Sequence, residues 1–183
     1  MKGLAEQFNK TLRPKLKDEL GCKNIMAVPR VAKIVINIGL GKAAQNKQWL
    51  EIATSILERI SGQKPILTKA RKSISNFKIR EGMVVGAKIS LRGQRMYDFL
   101  EKLIHVTFPR LRDFHGLEVK KGFDKHGNYT IGFKEHIVFP EIGMEDVENV
   151  HGLEVTISTT AKDDQQALAL LKLLGFPFKK TKK

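Results

Sequence analysis

The apolar spacing of this chain predicts an α+β fold: a single domain on a largely antiparallel sheet, with helices packed on one face and an N-terminal helical arm. Three observations carry that expectation. Apolar residues recur every three or four positions in some segments and every second position in others, so helices and strands share one chain. Several strand-like segments follow directly on one another, which favours antiparallel pairing over a parallel, doubly wound sheet. The 183 residues are 42% hydrophobic, enough for one substantial core without a second domain.

In chain order, Leu4, Phe8, Leu12, Leu16 and Leu20 repeat at a spacing of four and predict a helical arm over residues 1–21, closed by Gly21. Pro14 lacks an N–H, so a break is expected near Leu12–Arg13 with a new turn beginning at the proline. Over residues 31–38, Ala32, Ile34, Ile36 and Ile38 alternate with Val31, Lys33, Val35 and Asn37, a strand whose first side is core and whose second side is partly polar. Trp49, Ala53, Ile56, Leu57 and Ile60 mark one face of a helix that Gly62 can end. Val85, Ala87, Ile89 and Leu91 alternate with Gly86, Lys88, Ser90 and Arg92, a second half-buried strand. Met96, Phe99, Leu100, Leu103 and Ile104 form another helical stripe, which Pro109 is expected to stop. The residues from Asp124 to Asn128 offer a turn into a strand over Tyr129–Phe133, and Leu153, Val155 and Ile157 alternate in a later strand. Asp163 and Asp164 suit the positive end of a last helix, with Ala167, Leu170, Leu171 and Leu174 on its apolar face. Gly175 and Pro177 end it, and residues 179–183 form a basic tail. No internal repeat or linker divides residues 1–183.

Charge narrows the choice of partner. Thirty-three Lys and Arg against 19 Asp and Glu leave a net charge of +14, which favours polyanions and says nothing about fold. The excess is concentrated between Lys64 and Arg80, where six cations (Lys64, Lys69, Arg71, Lys72, Lys78 and Arg80) stand without one acid. A Ser/Asn-rich stretch with one aromatic, Phe77, lies among them. A mobile loop of this makeup can follow a phosphate backbone with its cations and set one ring or hydroxyl against a base or sugar. It is expected to be flexible alone and ordered by RNA; an ordinary basic surface loop is the alternative. If helices cover the Ile34/Ile36/Ile89/Leu91 side of the sheet, then Lys33, Asn37, Lys88, Ser90 and Arg92 share the open side. That side could be an RNA platform or a merely solvated face. Without the exposed aromatics on which common RNA-recognition sheets stack bases, it would rely on backbone, 2′-hydroxyl and shape contacts.

Other chemistries find little support. Gly39, Gly41 and Ala44 fit the spacing of a dinucleotide-binding turn after a strand, so a nucleotide-cofactor enzyme is the alternative function. The context is wrong for it, because the helix leads into Pro65–Thr68 and then cations, not into a strand ending in a ribose-binding acid. No phosphate-binding Walker loop, serine-nucleophile elbow or zinc-protease helix occurs. The histidines (His105, His115, His126, His136 and His151) never fall at chelating helical spacing, and the single Cys22 excludes an internal disulfide and a cysteine zinc cluster. No cofactor, metal or catalytic residue is expected. Glu141, Glu145, Asp146 and Glu148 read as a solvated acidic edge or a patch for a basic protein. No apolar run reaches the roughly 18 residues of a membrane span, and the amphipathic N-terminus lacks the apolar stretch of a signal peptide. The expected location is the cytoplasm, away from membranes.

The segment from Leu57 to Ser73 closely resembles the signature of the bacterial large-subunit ribosomal protein number five family. The likeness continues through Ile36–Gly41, Phe77–Gly82, Leu91–Gly93, Phe108–Gly116, Gly127–Tyr129, Phe139–Ile142, Thr159–Lys162 and Leu174–Phe178. It therefore covers almost the whole chain, in the family's order. Val84 stands where the family usually has proline, Asn76 where it usually has glycine, and His151 where it usually has arginine. The resemblance implies a structural component of the large ribosomal subunit, bound to 5S ribosomal RNA and large-subunit ribosomal RNA in the central protuberance. It implies 5S contacts at Asn37, Gln63 and Ser90, two of which alternation independently places on the polar side. Lys33, Lys64, Lys88 and Arg92 are added as ribosomal RNA contacts on charge. The loop 70–82 matches the family's projecting loop, so Arg71, Lys72, Ser73, Asn76, Phe77, Lys78 and Arg80 are expected to reach peptidyl-site transfer RNA. The family also bridges to the thirteenth protein of the small-subunit head; the 109–116 loop and the 141–148 edge are the candidates, on charge alone.

Overall fold

The computed structural model describes residues 3–41, 47–112, 114–143 and 150–179. It is an α+β structure with five strands, β1 (Val31–Gly39), β2 (Ile66–Lys69), β3 (Val84–Leu91), β4 (Tyr129–Phe133) and β5 (Leu153–Thr159), in an antiparallel sheet of order β2-β3-β1-β5-β4. The chain gathers into two compact units, one of residues 1–34, 91–131 and 156–183, the other of residues 35–90 and 132–155.

The first unit holds the N-terminal arm, α1 (Leu4–Gln7) and α2 (Arg13–Glu19), which the five-residue π-helical segment Phe8–Leu12 joins into one continuous helix. Further along are α4 (Gly93–Lys102), a second π-helical segment (Leu103–Thr107), α5 (Phe108–Arg110), α6 (Val119–Gly122) and the C-terminal α7 (Asp164–Leu173). The expected break at Leu12–Arg13 is replaced by a π-helical turn, whereas the later stripe stops close to Pro109 as expected, at Arg110, with a second π-helical turn ahead of the proline. Each π segment ends two residues before a proline, and the physical reason is the same twice. A proline ring crowds the carbonyl four residues back and offers that carbonyl no donor. Widening the turn just before it lets the Arg13 N–H reach Phe8 O and the Phe108 N–H reach Leu103 O, so the chain bends its bonding pattern and stays helical. Phe8 and Leu103 are buried at those turns, so the apolar stripe survives the change of pitch. The arm packs its first turn on α4, with the Phe8 and Tyr97 rings 6.1 Å apart.

Aromatic rings close the other end of this unit. Phe108 lies between Phe114 (5.3 Å) and Phe176 (5.8 Å), and Tyr129 meets Phe123 (4.7 Å) and Phe178 (5.5 Å). Leu117 and Phe178 pair through Leu117 N–H to Pro177 O (2.8 Å) and Lys179 N–H to Leu117 O (3.0 Å). The turn into β4 forms as expected: the Asp124 carboxylate accepts from the N–H groups of His126 (2.8 Å) and Asn128 (3.0 Å). Asp164 lies in the first turn of α7 and also accepts from the Gly127 N–H at 3.1 Å, tying that helix to the same turn.

The second unit holds α3 (Lys47–Ser61), β2, most of β3 and most of β1. Ala53, Ile56, Leu57 and Ile60 are buried along α3, and Gly62 ends it at φ +66°. Ile36 and Ile38 of β1 and Ala87 and Ile89 of β3 are all buried. β2 enters at the sheet edge as the antiparallel partner of β3, with Ile66 opposite Lys88 and Thr68 opposite Gly86. The strand after α3 therefore does not lie beside β1, as a dinucleotide-binding unit requires. Residues 42–44 of that turn lie outside the described residues.

Packing at two positions has measurable consequences. A Cβ at Gly86 would lie 2.6 Å from the Ile38 carbonyl oxygen and 2.9 Å from Thr68 Oγ1, the first of them immovable backbone. Gly86→Ala should therefore cost about 1–3 kcal/mol, read as an earlier urea midpoint at unchanged slope. The Tyr129 hydroxyl donates to Glu118 O at 2.9 Å, and burial, helped by the Glu118 charge, pushes its phenol up to about 12. The unfolded phenol ionises near ~10, so between about pH 10 and 12 the unfolded chain holds fewer protons and stability falls as pH rises. Tyr129→Phe should flatten that part of the stability–pH curve measured by urea unfolding.

Candidate nucleic-acid interface

Strands β1, β2 and β3 contain no Asp or Glu at all. In the second unit the burial of Ile36, Ile38, Ala87 and Ile89 sends the alternate residues to the opposite face of the strands. Asn37, Lys88 and Ser90 are exposed there, and Lys88 is paired with Ile66 across the β2–β3 ladder, so these side chains share a surface. The end of β1 is held to β3 by the Leu40 N–H donating to Val85 O at 2.9 Å. Neither the Asn37 amide nor the Ser90 hydroxyl is hydrogen-bonded among the described residues, so both are available to a ligand. Gln63, half-buried, follows the end of α3, where Ser61 Oγ accepts from its N–H at 3.2 Å and leaves the side-chain amide uncommitted. Lys64 is exposed beside it. Lys33 and Arg92 belong to the first unit; Lys33 is half-buried and Arg92 exposed.

Sequence reasoning missed Ile66. It is 63% exposed, on the same face as Lys88, and adds an apolar element to a surface otherwise made of an amide, a hydroxyl and ammonium groups. Its position was hidden because the pairing of a four-residue strand is a long-range property. Such a face can donate to and accept from sugar hydroxyls and phosphates while resting a methyl-bearing side chain on a sugar or base.

The loop 70–82 closes the β2–β3 hairpin and is more regular than its composition suggests. The Ala70 N–H donates to Met83 O (2.8 Å) and the Gly82 N–H to Ala70 O (3.0 Å) at its base. Farther out, Ile74 and Ile79 exchange N–H···O bonds of 2.9 and 3.1 Å around a short 3₁₀ turn, Ser75–Phe77. Ser73 Oγ accepts from the Glu81 N–H at 2.9 Å, and Lys78 turns the chain at φ +55°. Arg71, Lys72, Ser73, Asn76, Lys78 and Arg80 are exposed, and Phe77 is 71% exposed. No ion pair among the described residues engages the four cations. The outcome is a hairpin tip with an uncovered ring amid unpaired positive charge.

Two histidines also escaped the sequence. His136 and His151 are both buried, with rings stacked at 4.2 Å, and Trp49 meets His151 edge-on at 5.6 Å. The His151 N–H lies 3.3 Å from His136 Nδ1, so this pair braces the segment before β5. Glu145, Asp146 and Glu148 lie outside the described residues, as do Asp113 of the 109–116 loop and residues 180–183 of the tail. No described group of His, Cys, Asp and Glu can hold a metal ion, and no described helix is long and apolar enough to cross a membrane.

Comparison with known proteins identifies the family. Residues 24–80 match the family described as ribosomal protein L5, and residues 84–178 match the model of the C-terminus of that ribosomal protein family. The chain is 52% identical to the large ribosomal subunit protein uL5 of Halothermothrix orenii over 178 residues, 97% of this chain and 99% of the relative. It is 52% identical to the uL5 protein of Natranaerobius thermophilus over the same shares of each chain. With that of a Psychrobacter species it shares 49% over 179 residues, 98% of this chain and all of the relative. A cationic sheet face and hairpin tip, two consecutive family matches and half-identical relatives of the same length converge on one assignment: the chain belongs to the L5 family of large-subunit ribosomal proteins.

Proposed function

We propose that this chain is a structural, non-catalytic component of the large ribosomal subunit that binds 5S ribosomal RNA through the outward face of β1–β3. The observation that carries this reading is the absence of any acid from those three strands, together with the uncommitted Asn37 amide and Ser90 hydroxyl. A phosphate-rich ligand meets no repulsion there and finds donors fixed on rigid strands. Gln63 and Lys64 extend the contact at the end of α3, and Lys33 and Arg92 of the first unit make ribosomal RNA contacts of their own. The hairpin tip, with Arg71, Lys72, Ser73, Asn76, Phe77, Lys78 and Arg80, reaches the transfer RNA in the peptidyl site. The chain also helps bridge to the thirteenth protein of the small-subunit head, through the exposed Arg110, Arg112 and His115 or through the edge that begins at Glu141.

Titration of 5S ribosomal RNA at matched salt tests the sheet face. Asn37→Ala, Gln63→Ala and Ser90→Ala should each weaken binding by about 0.5–1.5 kcal/mol, a factor of roughly 2–12, without changing thermal stability. With about six phosphates neutralised, the log–log salt slope should be roughly −4 to −5, and replacing Lys64 and Lys88 by Gln should make it shallower by up to about two. Wild-type affinity in all three alanine variants would remove the assigned face. The loop has its own test. Changing Arg71, Lys72, Lys78 and Arg80 together to Gln should leave 5S binding nearly intact while weakening transfer RNA retention on assembled ribosomes. The opposite pattern would mean that the two surfaces have exchanged roles.

A further inference from the structure

Outside the sheet face and the hairpin tip, one exposed apolar feature is held rigidly. In the first unit the 3₁₀ turn Ile25–Ala27 leaves Met26 76% and Ile25 41% exposed, while Val28, immediately after it, is 2% exposed. The Asn24 side chain caps the turn by accepting from the Met26 N–H at 2.9 Å, and the Ala27 N–H donates to Asn24 O at 3.0 Å. The turn packs on α2, where Arg13 Nη2 lies 3.2 Å from Met26 Sδ. Just beyond it Arg30 is clamped by its backbone: its N–H donates to Thr160 Oγ1 (3.0 Å) and its carbonyl accepts from the Thr160 N–H (2.9 Å). The turn is thus fixed on both sides, with its apolar side chains turned outward.

The surroundings are positive. Between Glu19 and Glu51 the chain has no acid and carries Lys23, Arg30, Lys33, Lys42 and Lys47. Burial pushes the Tyr97 phenol up, and the charges of Arg30 and Arg13 oppose that rise. No ion pair among the described residues engages Arg13, Lys23 or Arg30. Single exposed apolar residues are common, but two adjacent ones on a capped turn, amid unneutralised cations, combine two features that a polyanion with flat apolar bases matches. A thioether is polarizable and adapts to such a surface, and a turn already ordered loses little freedom on binding.

We propose that the Ile25–Met26 turn, with Arg13, Lys23 and Arg30 around it, is a second RNA-binding surface of this chain. Its occupant is ribosomal RNA: the Met26 and Ile25 side chains rest against an unstacked base or a sugar, and the three cations hold the neighbouring phosphates. The proposal rests on the reading of the chain as a ribosomal RNA-binding protein and adds a contact made by different residues from those of the strands and the hairpin.

The test is site-specific photo-crosslinking of the full chain in assembled large subunits. Met26 is replaced in one preparation, and Asn37 in another, by p-benzoylphenylalanine. An adduct from position 26 to ribosomal RNA is the expected result. An adduct to protein, or none, overturns the proposal; if position 37 then still labels RNA, the sheet-face reading stands alone, and if neither does, that reading falls as well. A second measurement guards against a permissive label. Met26→Leu should stay on subunits washed at raised salt as the wild type does, and Met26→Asp should be lost at lower salt with unchanged thermal stability. Equal retention of both variants would also overturn the proposal.

Discussion

Register in the β3–β1 pair is the constraint on which the interface depends. Ile36, Ile38, Ala87 and Ile89 are sealed from solvent on one face, so the alternate residues have no choice of direction. A slip of one residue would carry Lys88 and Ser90 into the core and bring Ile89 out, an exchange of charge for hydrocarbon that no local adjustment could offset. Gly86 tightens the constraint, because its bare Cα lets the Ile38 carbonyl approach where a methyl group would stand. The hydrogen-bonding groups of the open face are thus positioned by apolar residues on the buried face. The hairpin tip inherits its direction from the same strands, since it closes the ladder that β3 makes with β2.

Charge supplies the second level of organisation. The strands of the open face carry no acid, while carboxylates are used where they tie backbone together: Asp124 within the turn before β4, Asp164 between that turn and α7. Glu118 likewise pairs with Lys121 and Lys179, and those two neighbours hold its carboxyl below the usual range. Asp124 and Asp164 thus serve internal structure, while Lys88 on the open face and the cations of the hairpin tip are left to solvent. A surface rich in cations and free of acids favours phosphate at long range, an attraction that weakens as salt rises.

The helices show how far backbone geometry bends to keep an apolar stripe intact. Pro14 is taken into a continuous helix, and Pro109 into the last turn of one, by a π-helical turn ahead of each. The burial of Phe8, Leu16, Leu103 and Phe108 on either side of those turns is what makes the irregular bonding worth keeping, since a true break would turn one half of each stripe away from its partner.

Much of this was legible in one dimension. Alternation at β1, β3 and β5, the stripes of α3, α4 and α7, the turn at Asp124–Asn128 and the cation run from Lys64 to Arg80 all follow from spacing and composition, because burial of one face is a periodic, local signal. Family membership followed from motifs in register along the chain. What tertiary structure alone decided are matters of partnership. That β2 sits at the sheet edge beside β3, so that Ile66 joins Lys88 on the open face, depends on a pairing no local pattern encodes. The closed hairpin tip, the π turns before Pro14 and Pro109 and the stacking of His136 on His151 belong to the same class. Each is settled by which distant groups compete for a carbonyl, a ring face or a share of the core, and that competition exists only once the chain has folded.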